Sequence, residues 1–480
     1  MNDQTLVESA NDPAAIRQQV LLAAQMLTAG DSRWEKAEDF ARIELRLAPT
    51  SPTELDLFNA SAPPLNQDTA LASFALAAAA IRKAQMERVW QLECRLVPVV
   101  RAIQEAGLGV DRNKLSAYVK LYERDVGRLE RELRAQFRSP TNLNSPTQLL
   151  AGLRNLGCLL TSTKEDDLLA SGHPVAKQVV EWRKPARILR FSQSYLEASG
   201  ADGRIHATFD QIGADTGRFS CAEPNLQGVG RSHDLRACFV PASGCKFVIA
   251  DYSQIELRLA ALLAQDETML TAFRQGRDIH VTTAALIQGK PPETVSKHDR
   301  QLAKAVNFGL LYGQQAEGLV RYARSKYGVE LTLEDASQFR RAFFASYQGI
   351  EHWHQQARRA AGDRNVTEAR TLLGRRRLLP ELSVDTKWSR FSTLINHPVQ
   401  GVSGDIIKLA MCDLADELAN TKARIVLTVH DELLVEAPHL AAGQLCAVVQ
   451  ARMVSAAEKL TRGSGLFTAE AVVADSWAEK

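Results

Sequence analysis

From Leu115 to Phe137, apolar side chains recur every three or four residues: Leu115, Tyr118, Tyr122, Val126, Leu129, Leu133 and Phe137, with lysine and arginine between them. That period predicts a long amphipathic helix. It should stop near Ser139-Pro140. Ser145-Pro146-Thr147-Gln148 should start the next helix, with a serine cap, a proline at the first helical position and a capping-box glutamine. Beyond about residue 200 the apolar runs shorten. Arg204-Ile-His-Ala-Thr-Phe209 and Lys246-Phe-Val-Ile-Ala250 read as strands, as do Arg424–Val429 and Glu432–Val435 on either side of His430-Asp431. Residues 278–365 return to helical composition, so a sheet split by a helical insertion is expected. The first 90 residues read as helices interrupted by a loop, because residues 48–53 and Ser61–Asn66 are rich in proline and small polar residues; the last of these helices should run over Asp68–Glu93.

At 480 residues the chain is too long for one hydrophobic core, so several subdomains are expected. Its 45% hydrophobic and 24% charged residues are those of a fully folded globular chain. The 58 basic residues nearly balance the 56 acidic ones, so charge alone does not announce nucleic acid. Seven cysteines without a C-x-x-C pair suit reduced thiols rather than a disulfide framework or a zinc site. The start lacks a basic leader, and the longest apolar run, Ala70–Ile81, is too short to span a membrane, so a cytoplasmic protein without a membrane partner is expected.

The candidate chemistry starts with two aspartates. The strand ending at Ala250 leads into Asp251, and Asp431 sits between the last two strands, so each carboxylate should lie at the rim of a sheet. Two cations about 3.5–4 Å apart, bridged by shared carboxylates, are what nucleotidyl transfer needs, and oxygen ligands suit magnesium. An aspartate after a strand is equally well a turn former. A second signal lies between them: Arg300, Lys304, Phe308 and Tyr312 follow at four-residue steps, which on a helix gives one slowly drifting stripe. Two cations at one end could hold a triphosphate, and two aromatic rings at the other could stack on bases. Glu256, three residues after Ser253, could be no more than part of a capping box.

Asp251-Tyr-Ser-Gln-Ile-Glu-Leu-Arg258 and Val429-His-Asp-Glu432 resemble the two metal-binding motifs of family A DNA polymerases, the DNA polymerase I type. The stretch His298–Gly313 resembles the triphosphate helix of that family's fingers. The resemblance implies an α+β right-hand fold: a thumb over residues 91–200, a palm over 201–277 and 371–480, and fingers over 278–370. It implies that Asp251, Asp431 and the Tyr252 carbonyl hold two Mg2+ ions, with Mn2+ a possible substitute, and that Asp251, Asp431, Lys304 and the less essential Glu432 are catalytic. Arg300, Lys304, Phe308, Tyr312, His280, Glu256 and Gln254 would bind the nucleotide. Glu256 would block a ribose 2′ hydroxyl, and phenylalanine at 308 implies discrimination against dideoxynucleotides. Thr216-Gly-Arg-Phe-Ser220, Pro224–Gln227 and Asn396–Lys408 resemble the segments along the primer–template duplex, which assigns Arg218, Asn225, Gln227, Asn396, Gln400 and His430 to DNA; Arg376, in Gly374-Arg-Arg-Arg377, would meet template phosphates. The expected partners are primer–template DNA and dNTPs, acting on a monomer.

The first 90 residues depart from the family pattern. They are about half the length of its proofreading domain and carry no Asp-x-Glu pair, so they read as a remnant. Neither 3′–5′ nor 5′–3′ exonuclease activity is expected, and proofreading would come from a separate protein. A single-subunit RNA polymerase shares the aspartates and the arginine-to-lysine helix, but Glu256 and Phe308 argue against it. A decayed, non-catalytic DNA-binding scaffold should have lost some of these residues, and no Gly-x-x-x-x-Gly-Lys string supports a P-loop ATPase.

Overall fold

The computed structural model describes residues 13–30, 39–41, 44–45 and 67–479. At its centre lies a four-stranded antiparallel sheet of β1 (Cys245–Tyr252), β2 (Arg424–Val429), β3 (Glu432–Pro438) and β4 (Ala469–Ala474), in the order β4-β1-β3-β2. Phe247, Val248, Ile249 and Ala250 of β1 are all buried, so both faces of this strand are covered, which explains its unbroken apolar run. Helix His439–Leu460 packs along β1 and β4. This helix is long and apolar enough to cross a membrane, and here Ala442, Leu445, Val449 and Met453 are buried. Helices Glu87–Ala106 and Lys387–Leu418 flank β2.

Everything from Ile255 to Leu418 is inserted between β1 and β2, and it is almost entirely helical. Polar caps set the starts: Asp266, Asp278, Ser296 and Thr332 each accept a backbone N–H of the first turn, and Ser296 with Asp299 and Thr332 with Asp335 complete reciprocal boxes. The arm formed by Arg112–Arg134 and Pro174–Ala198 builds a separate core from Val126, Leu133, Leu149, Leu153 and Trp182. Helices Pro13–Thr28 and Gln67–Lys83 make another with Ile16, Val20, Ala77, Ile81 and Trp90.

Several expectations need correction. Arg204–Phe209 is two short strands, Arg204–Ile205 and Thr208–Asp210, each paired with a different partner. The helix expected over Asp68–Glu93 breaks at 84–86, where Gln85 turns left-handed (φ 55°) although no glycine or proline marks the spot. Ser145 does cap its helix, but the Gln148 amide oxygen accepts from Asn142 N (3.1 Å) instead of closing the box. The loop stretches at 48–53 and 61–66 lie outside the described residues.

Candidate active site

The β2–β3 hairpin closes through His430 and Asp431, with His430 at φ 56° so that a two-residue connection can join the strands. On the neighbouring strand Asp251 stands in register with Glu432, and Tyr252 N donates to the Asp431 carbonyl at 3.2 Å. The two candidate metal-binding aspartates therefore come to one rim of one sheet from 180 positions apart. Glu432 points elsewhere: Trp477 Nε1 donates to it at 2.6 Å and Arg236 lies 3.5 Å away. These contacts hold the Glu432 side chain at the first residue of β3, next to Asp431 in the hairpin.

Helix Lys297–Leu311 carries Arg300, Lys304 and Phe308, while Tyr312 sits at its C-cap. Arg300 Nε donates to Asp278 at 2.7 Å. Burial, and then the like charges of Arg300 and Arg231, hold the Lys304 ammonium below the usual lysine range. Crowded cations of this kind favour an incoming anion. Arg231, which nothing in the sequence singled out, is exposed and lies within electrostatic reach of both Lys304 and His430. His280 lies under Phe308, with ring centroids 6.2 Å apart. It is 3% exposed, accepts at Nδ1 from Asn307 Nδ2 at 3.0 Å, and is pushed by burial down to about 4. At neutral pH it can offer a phosphate a hydrogen bond but no charge.

Glu256 is not a helix cap. The N-cap of its helix is Gln254, left-handed at φ 56° and without a side-chain cap bond, so the Ser253 box is not formed. The carboxylate of Glu256 instead joins Arg218 on one oxygen and the Tyr312 hydroxyl on the other. Burial, then the charge of Glu256, raises Tyr312 well above the ordinary tyrosine range, so it stays protonated and donates. Arg218 Nε also donates to the Gln400 carbonyl at 3.3 Å. Four residues from four separate segments are thus locked into one wall.

Under that wall lies a buried charge cluster. Glu93, 0% exposed, takes Lys408 Nζ at 2.5 Å, Gln211 Nε2 at 2.6 Å and the Arg375 guanidinium; Arg375 also reaches Asp405 at 2.7 Å. Gly217 closes over Arg375: at φ 82°, a methyl group there would come within 2.4 Å of the Arg375 side chain. Arg375 therefore supports the Thr216–Arg218 turn. Of the expected template cations Arg375–Arg377, Arg375 is buried and Arg376 and Arg377 are half-buried. Arg376 donates to the Leu27 carbonyl at 2.8 Å and Arg377 to Asp215 at 2.9 Å, because this hairpin faces carboxylates and the N-terminal helix.

The remaining expected DNA residues line nearby segments. Asn225 caps a short 3₁₀ turn by accepting from Gly228 N at 3.0 Å, and Gln227 donates to the Thr428 carbonyl at 3.3 Å. Asn396 donates to Ser392 at 2.9 Å, while its buried Oδ1 accepts from nothing among the described residues.

The profile of DNA polymerase family A matches residues 112–479. DNA polymerase I of Aquifex aeolicus is 34% identical over 400 residues, covering 81% of this chain and 67% of that protein. DNA polymerase I of Pseudomonas aeruginosa is 36% identical over 389 residues, 76% of this chain and 42% of that one. The thermostable DNA polymerase I of Thermus caldophilus is 33% identical over 390 residues, and the chain spans only 45% of its length. Among solved structures, the POL domain of Pol1 from M. smegmatis, in complex with DNA primer-template and dNTP, superposes with a TM-score of 0.81 at 28% identity, covering 96% of this chain and 81% of that one. The helical arm, the split antiparallel sheet and its helical insertion are accordingly an α+β polymerase fold, and the chain belongs to DNA polymerase family A.

Proposed function

We propose that this chain is a template-directed DNA polymerase that adds dNTPs to a primer 3′ end by nucleotidyl transfer with two divalent metal ions. The observation that carries the proposal is the convergence of two sheet-rim aspartates with a helix bearing Arg300, Lys304 and Phe308, whose C-cap Tyr312 is bonded to Glu256 in the helix that follows the Asp251 strand. Asp251, Asp431 and the Tyr252 carbonyl would hold the ions. Their hard oxygen donors suit magnesium, an ion that keeps water and takes substrate phosphate oxygens. When bound, the ions would activate the 3′ hydroxyl and steady the leaving pyrophosphate.

The chain's own residues supply the rest. Arg300 and Lys304 receive the triphosphate, and Lys304, whose ammonium is already held low, is the cation readiest to give the leaving pyrophosphate a proton. Phe308 offers a flat face to the base. Glu256, fixed by Arg218 and Tyr312, cannot swing aside to admit a 2′ hydroxyl, so the wall favours deoxyribose.

Primer extension with dNTPs and with NTPs tests the reading, and equal use of the two sugars would overturn it. The Asp431→Ala variant should bind primer–template and fail to extend it. A 3′-mismatched primer should stay uncut.

A further inference from the structure

The segment beyond Tyr312 has no part in the chemistry above, yet it carries a local irregularity beside it. Helix Ala316–Tyr322 runs into a π-helical turn, Ala323–Tyr327, closed by left-handed Gly328 at φ 63°. Such widened turns are rare and gather at functional places. In a regular α-helix, residues five apart point about 140° away from each other. Here the widening turns Tyr322 and Tyr327 together, with ring centroids 5.7 Å apart at 67°. Neither ring is fully buried.

The pair is seated against the nucleotide-binding helix. A methyl group on Gly309 would come 3.3 Å from the Tyr322 ring and 2.8 Å from Leu319, so the close approach depends on that glycine, one position after Phe308. Tyr322 lies within electrostatic reach of Glu256, and Tyr327 of Arg231. These are the side chains that flank Tyr312 and Lys304. Around the rings Arg321, Arg324 and Lys326 are exposed, although Arg324 also pairs with Glu330 at 2.6 Å. Paired aromatic faces with cations beside them are the chemistry that holds single-stranded nucleic acid: rings stack on bases and charges follow the backbone.

We infer that Tyr322 and Tyr327, on the π-turn Ala323–Tyr327, form a stacking platform for the unpaired template strand just ahead of the base being copied. The inference rests on the polymerase reading, because it extends the line of rings, Phe308 and Tyr312, that would stack on bases.

The test compares binding of the wild-type chain to primer–templates with a single unpaired template nucleotide and with a longer unpaired overhang. It places 2-aminopurine at the second unpaired position. The wild type should prefer the longer overhang by roughly fivefold or more, and the probe should be quenched on binding. Tyr322→Leu and Tyr327→Leu together keep apolar bulk but remove the rings, and should abolish both effects; Tyr322→Phe and Tyr327→Phe should keep them. A wild type that extends primers but shows neither preference nor quenching overturns the platform and leaves the polymerase standing. Preference retained in the double leucine variant also overturns it. A wild type that extends no primer overturns the polymerase reading instead.

Discussion

Glu93 offers a severe test of how the fold is held, since one carboxylate satisfies Lys408, Arg375 and Gln211 in a fully buried setting. The Glu93→Gln variant leaves two buried cations facing Asp405 alone. Removing one partner of a buried pair costs about 3–5 kcal/mol. Lys408 limits the loss, because burial and the Arg375 charge already bring it down to about 8 and it can shed its proton. Neutralising a lysine at neutral pH, from a usual pKa of about 10.4, costs about 4–5 kcal/mol, so that is the ceiling. Half of a typical domain's stability is at stake. The pH dependence follows. A lysine whose folded pKa is depressed leaves the unfolded chain holding more protons between the two values, so stability rises with pH across that window. The deficit of Glu93→Gln, measured by urea unfolding, should therefore shrink between neutrality and about pH 9. The double variant Glu93→Gln, Lys408→Met restores balance, because Arg375 keeps Asp405, and should recover most of the loss. A single-variant loss below about 1 kcal/mol, or a double variant no better than the single, would refute the account.

Glu256→Ala removes the partner of Arg218 and Tyr312, and the preference for dNTPs over NTPs in single-nucleotide incorporation should fall by roughly tenfold or more; unchanged selectivity would place the sugar gate elsewhere. Gly217→Ala meets both a left-handed backbone and the Arg375 side chain, so it should cost roughly 1–3 kcal/mol in unfolding experiments and weaken primer–template binding through Arg218. His280, His354 and His397 are each pushed by burial down to about 4. Their folded values lie below the unfolded one, so stability present above about 6.5 is lost as the pH falls toward 4, by roughly 3 kcal/mol for each histidine. In His354→Gln the urea midpoint should fall less steeply on acidification, and an identical slope would count against that assignment.

The site was legible in the sequence wherever chemistry follows from spacing. The four-residue steps from Arg300 to Phe308 survive as one helical face, and β2 and β3 appear with Asp431 between them as their short apolar runs predict. What spacing cannot convey is which way a charged side chain turns. Arg376 reads like a cation offered to phosphate, yet it donates to the Leu27 carbonyl, a residue 349 positions away. Glu256 reads like a helix cap until the left-handed backbone of Gln254 removes that role. Arg231 has no periodic neighbour to mark it, and only the packed fold brings it near Lys304. The break at Gln85 was hidden for a similar reason: glutamine carries no local signal for a left-handed turn, and tertiary contacts impose it.

That break also decides where the molecule could be cut or spliced. The family match begins at residue 112, which invites a boundary there, but Glu93 belongs to the innermost charges of the sheet region and lies upstream of it. A join at residues 84–86, where one rigid rod ends and the next begins, would keep Glu93 but part Trp90 from Ile16, Val20 and Ile81, so any replacement module must refill that core. A join placed after Ala106 would take away the anchor on which Lys408 and Arg375 depend, and with it the footing of the Arg218 turn.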